Sequence, residues 1–92
     1  MSVKFSNNGK TVLSSGISAS DTTIPVTDAS VFPTITGSEY FYVTLADDTN
    51  VEIVKVTAVS SNDLTVTRAQ EGTTARAFAS GDKAENRLTA GS

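Results

Sequence analysis

Apolar and polar residues alternate with a period of two over several short stretches of this chain, the pattern of strands that bury one face. Leu64 and Val66 alternate with Thr65 and Thr67, and the run passes directly into Arg68-Ala69-Gln70-Glu71-Gly72. Upstream, residues 40–45 and 51–59 are the strongest strand candidates, separated by Asp47-Asp48-Thr49-Asn50, whose side chains favour tight turns through local backbone hydrogen bonds. They predict an antiparallel hairpin, and a turn at residues 60–63 extends it to a three-strand meander ending at Arg68. Phe41, Val43 and Leu45 share one face of the hairpin, but Tyr40 and Tyr42 make the other face partly apolar too. A strand apolar on both sides is either central in a small sandwich or lies against another chain.

The flanking segments are weaker. Ile24 and Val26 share a face over residues 22–27, and Pro25 between them cannot donate to a ladder, which predicts an edge strand. Val31-Phe32-Pro33 forms an apolar anchor before a turn through Gly37. Residues 74–79 fit one helical turn or an extended loop, and Gly72 and Gly81 close to either end favour the loop. A last strand, poor in apolar residues, is expected over 83–89. Residues 1–20 are rich in Ser, Asn and Gly around a short burst at Val12-Leu13. The expected fold is therefore all-β, a small antiparallel β-sandwich or partly open β-barrel over residues 21–92 with an extended N-terminal arm over 1–20.

Composition narrows the chemistry. The chain has neither cysteine nor histidine, which removes disulfides, thiolate metal sites, Ser-His and Cys-His nucleophile pairs and the common zinc sets. No enzyme, no metal and no cofactor are expected. A net charge of −3 argues against nucleic acid, which is bound by neutralising phosphates. No stretch approaches the roughly 18–20 apolar residues of a membrane span, and the opening Met1-Ser2-Val3-Lys4-Phe5 lacks the apolar segment of a secretory signal, so neither membrane contact nor export is expected. A chain of 92 residues buries only about 60–65% of its unfolded surface, which makes a partner covering more apolar area favourable.

Several residues invite sharper roles. Asp47, Asp48 and Asn50 bring oxygen ligands together, but without the spacing, glycine and terminal glutamate of a calcium loop they predict a turn. Glu52 and Arg68, on central strands of one meander, are candidates for an ion pair bracing the glycine loop of Gly72 and Gly81, with Glu85 or Arg87 able to join. Gly72-Thr73-Thr74 lacks the spacing and lysine of a phosphate cradle. The aromatic run at Tyr40, Phe41 and Tyr42 suits core and subunit contact better than a stacking platform for sugars or bases. Lys4 and Lys10 are the only charges of the first twenty residues, and with Phe5, Val12 and Leu13 they mark that segment as the expected docking element, together with Tyr40 and Tyr42.

The order of these pieces resembles a small β module of tailed-bacteriophage virion proteins, found most often near the N-terminus of tail fibres and related appendages. The resemblance is carried by Phe5-Ser6-Asn7-Asn8-Gly9-Lys10-Thr11-Val12-Leu13, Asp21-Thr22-Thr23-Ile24-Pro25-Val26, Val31-Phe32-Pro33, Glu52-Ile53-Val54-Lys55-Val56, the run from Leu64 to Ala75, Ser80-Gly81-Asp82-Lys83 and Glu85-Asn86-Arg87-Leu88-Thr89-Ala90. Two positions depart from the pattern, since Ala69 stands where glycine normally follows the arginine and Ala84 where a larger apolar residue is common. The resemblance implies a structural role, attaching a fibre or spike to the tail or neck of the virion after assembly in the host cytoplasm. It further implies a homotrimer whose partners are other virion proteins, with the receptor-binding part beyond Ser92. A capsid decoration protein clamping the head shell, beside the major capsid protein, is the alternative if the reading frame stops at Ser92. A soluble carbohydrate-binding module is weaker, resting on two tyrosines.

Overall fold

The computed structural model describes residues 9–86 as a six-stranded, wholly antiparallel sheet curled into a half-barrel. The strands are β1 (Gly9–Val12), β2 (Thr23–Pro25), β3 (Phe41–Ala46), β4 (Val51–Ser60), β5 (Asp63–Gln70) and β6 (Lys83–Asn86), with one 3₁₀ turn at Ala29–Val31. Their order in the sheet is β1-β6-β3-β4-β5-β2. The central meander β3-β4-β5 is the one the alternation predicts, and β2, with Pro25, is an edge. Residues 73–77 form a loop, and Phe78 beyond them is buried.

The curl brings the two edges together at one corner. Leu13 bridges Val26, the Ser14 amide donates to the Pro25 carbonyl at 3.1 Å, and the Thr27 amide to the Val12 carbonyl at 3.0 Å. Curvature of this kind hides strand edges that would otherwise pair with other chains. The concave face holds the core: Phe41, Val43 and Leu45 of β3, Val54 and Val56 of β4, and Leu64 of β5 are all fully buried. Phe32 closes the open side, its ring 5.5 Å from that of Phe41.

One boundary expected from the sequence is corrected. From Gly9 onward, the segment expected to be an arm belongs to the body: β1 pairs with β6 along its whole length, and Leu13 and Ile17 are core residues, 1% and 6% exposed. Ile17 exchanges two backbone hydrogen bonds with Phe78, at 2.9 and 3.1 Å. Sparse apolar residues looked insufficient for a core because their partners, Val26 and Phe78, are distant in sequence. Lys4, Phe5 and Arg87 lie outside the described residues.

The break in pattern at Ala69 also has a structural counterpart. Lys55 pairs with Thr67 and Ile53 with Gln70, so two residues of β5, Arg68 and Ala69, stand opposite the single Val54 of β4. This is a β-bulge, and Ala69 takes the left-handed conformation at φ +57°, where glycine is the low-strain residue. Ala69→Gly should therefore stabilise the protein by about 0.5–1 kcal/mol. Relief of roughly 1–2 kcal/mol of left-handed strain exceeds the ~0.4–1 kcal/mol of added unfolded-chain entropy. A raised denaturant midpoint is the check, and an unchanged or lowered one would show that the bulge carries no strain.

Candidate functional site

Glu52 is a carboxylate at the head of an apolar line. On β4 it shares the inward face with Val54 and Val56, and like them it is fully buried. Burying an unpaired charge costs several kcal/mol, so its position requires a complete set of partners. Arg68 supplies half of them, because Leu64, Val66 and Arg68 alternate onto the same inward face of β5. Its Nε donates to Oε2 and its Nη2 to Oε1, both at 2.8 Å, in the two-pronged geometry that suits guanidinium and carboxylate. Backbone amides supply the rest: Ala69 donates to Oε2 and Arg76 to Oε1, each at 3.0 Å. The bulge is what turns the Ala69 amide away from the ladder and toward the carboxylate.

The guanidinium reaches further. Nη1 donates to the carbonyls of Ser18 at 2.8 Å and Asp21 at 2.7 Å, and Nη2 to that of Arg76 at 2.6 Å. One ion pair thus clamps two loops, residues 14–22 and 71–80, onto the end of the sheet. Among the described residues, no buried side-chain nitrogen or oxygen lacks a hydrogen-bond partner. The turn after the clamp is tight. Glu71 and Gly72 have φ of +56° and +80°, and the Thr73 amide donates back to the Gln70 carbonyl at 3.0 Å, the arrangement of a type I′ turn. At the other end of the loop Gly81, at φ +90°, donates its amide to the Leu13 carbonyl at 2.8 Å.

Burial pushes the Glu52 carboxyl up. Hydrogen bonds from Arg68 and from the Ala69 and Arg76 amides, with the arginine's charge, outweigh that and hold it below the usual range. A carboxyl depressed in the folded state stabilises the protein fully above its unfolded value, near 4.3, and that stability is lost as pH falls through the folded value. The melting temperature should thus be flat from neutral pH down to about pH 5 and fall steeply below about pH 4. Glu52→Gln should weaken that acid dependence. Equal acid slopes in wild type and variant would assign the dependence to other carboxylates, such as Asp28 and Asp47, both also depressed by hydrogen bonds from nearby backbone and side-chain groups.

The remaining candidates fall on other surfaces. Glu85 does not join the clamp: Ala84 and Asn86 face inward, so Glu85 faces outward on β6, in register with Thr44 and Lys10. Asp47 is spent on its turn, accepting from the amides of Thr49 at 2.8 Å and Asn50 at 2.7 Å. Of the expected docking residues, Leu13 points into the core, whereas Lys10 and Val12 point outward on β1. Tyr42 points outward on β3, and Tyr40 packs edge-on against it at 5.7 Å. Lys55 of β4 places its Nζ 4.4 Å from the centre of the Tyr40 ring, a cation–π contact. Burial, then the neighbouring Tyr40 and Glu71, push the Tyr42 phenol up, so it is a neutral donor at physiological pH.

No side-chain pattern points to Ser18, Asp21 or Arg76, which act through their backbones. Strand parity places Lys55 and Lys83 outward once Val54, Val56 and Ala84 are known to face the core. No known protein-family profile matches the chain, and no characterised protein matches its sequence.

Proposed function

We propose that the protein is a non-enzymatic structural module of a tailed-bacteriophage virion, docking a tail fibre or spike onto the tail or neck as a homotrimer. The observation that carries the proposal is how Glu52 is used. Each carboxylate oxygen accepts two hydrogen bonds from the protein's own chain, which leaves no lone pair for a substrate or a proton in transit. A buried charged pair committed wholly to holding loops gives stiffness, which suits a module that transmits load between larger parts. The order of motifs, resembling the virion module, supplies the rest of the support.

Immunogold labelling of purified particles of a phage encoding the protein, with antibodies raised against the domain, tests this. Label at the tail or neck is expected. Label over the head would move the protein to capsid decoration, and unlabelled particles would overturn a virion role altogether. Sedimentation at micromolar concentration should give a trimer, and a monomer throughout would remove the oligomeric part of the proposal.

A further inference from the structure

Charge is segregated on this molecule in a way its net value hides. All ten acidic residues of the chain lie among the described residues, against five basic ones, Lys10, Lys55, Arg68, Arg76 and Lys83. Arg68 is consumed by the core clamp. The three lysines all project from the convex face of β1, β6, β3 and β4: Lys10 alternates with inward residues on β1, Lys83 flanks buried Ala84, and Lys55 lies between buried Val54 and Val56. Across those four strands Glu85 is the one acid facing outward, so the face carries +3 − 1 = +2 on a body of 5 − 10 = −5. The other acids sit in the core, in the turns or at strand ends, with Glu71 at the rim beside Tyr42.

The same face is apolar between the lysines. Val51 is 53% exposed, and Tyr42, Ala46 and Ile53 are half-buried in adjacent register positions, Ala46 against Val51 and Tyr42 against Lys55. Neither Lys10 nor Lys83 makes an ion pair among the described residues. Two copies meeting through this face would set lysines against lysines, which disfavours self-pairing there. A polyanion such as nucleic acid would meet three lysines on a body otherwise acidic, and would leave the aliphatic residues unmatched. We propose that the convex face of β1-β6-β3-β4 is the docking surface for a different protein, whose contacting surface is acidic and interleaved with apolar residues. The proposal rests on the docking role above and names its surface, while the trimer's own contacts use other parts of the molecule.

The probe is a short acetylated peptide alternating glutamate and leucine, titrated into the full chain and followed by amide chemical shifts. Shifts clustered at Lys10, Lys55, Lys83, Tyr42 and Ile53 are expected. Lys10→Gln with Lys83→Gln, both at exposed positions, should weaken binding by about fivefold or more without setting a like charge opposite Glu85, and so leave the melting temperature nearly unchanged. Equal binding by a lysine-leucine peptide, equal or tighter binding by a DNA oligonucleotide, or shifts grouped elsewhere would each overturn the assignment. So would a changed oligomeric state in the double variant, which would make the face a self-contact. Adding wild type and double variant to phage particles lacking the protein separates the two proposals. If both associate, the surface is wrong and the docking role stands. If neither does, the docking role falls and the peptide titration alone decides the surface.

Discussion

Arg68→Ala should destabilise the domain by about 3–5 kcal/mol, the cost of stranding a buried carboxylate. Domains of this size are stable by only about 5–15 kcal/mol, so the variant loses a large share of the total and its denaturant midpoint should fall sharply. The loss has two sources. Glu52 keeps the amides of Ala69 and Arg76 but loses its counter-charge, and the carbonyls of Ser18, Asp21 and Arg76 lose their donor. Arg68→Lys should recover only part of the loss, since an ammonium cannot serve the carboxylate as a fork and still reach both loops. Buried ion pairs can often be replaced by apolar residues at little cost, and here they should not be. Glu52→Leu combined with Arg68→Met would leave the part-buried amides of Ala69 and Arg76 and the Arg76 carbonyl without partners. Denaturant unfolding of the three variants distinguishes these outcomes. A double variant as stable as wild type would mean that the loops need no clamp.

Leu13→Ala should cost about 2–5 kcal/mol, the range for removing a fully buried leucine side chain. Leu13 is 1% exposed and sits where the sheet closes: its amide donates to the Asp82 carbonyl at 2.9 Å, its carbonyl accepts from Gly81, and it bridges Val26 of the opposite edge. Val12→Ala, one residue earlier but facing outward and half-buried, should cost less than about 1 kcal/mol. Deleting residues 2–13 would remove β1 and this anchor together, so cooperative unfolding should be lost. A shortened protein that still melts sharply would return the segment to the status of a dispensable arm.

The contrast between Leu13 and Val12 marks the limit of what pattern alone conveys. The meander of residues 41–70 was legible because period-two alternation and turn residues are local properties, written in contiguous sequence. The edge position of β2 followed from Pro25, which has no amide proton to give. Glu52 and Arg68 could be paired as candidates because both lie on strands of one hairpin ladder. Strand parity also placed the outward residues, once the inward ones were known.

The remaining features depend on contacts between residues far apart in the chain. Residues 9–20 carry too few apolar groups to predict a core, and only curvature of the sheet brings Leu13 to Val26 and Ile17 to Phe78. That Glu52 lies in the core rather than on the surface follows from the register of β4 against β3 and β5, which no local signal reports. Its backbone partners, Ser18, Asp21 and Arg76, act through atoms that every residue type shares, so side-chain identity could not reveal them. Strands and their alternation could be read from the chain directly, because those are set by neighbouring residues. The structure alone determined which face became core and which lysines share a surface, because sheet order and closure are set by packing across the whole chain.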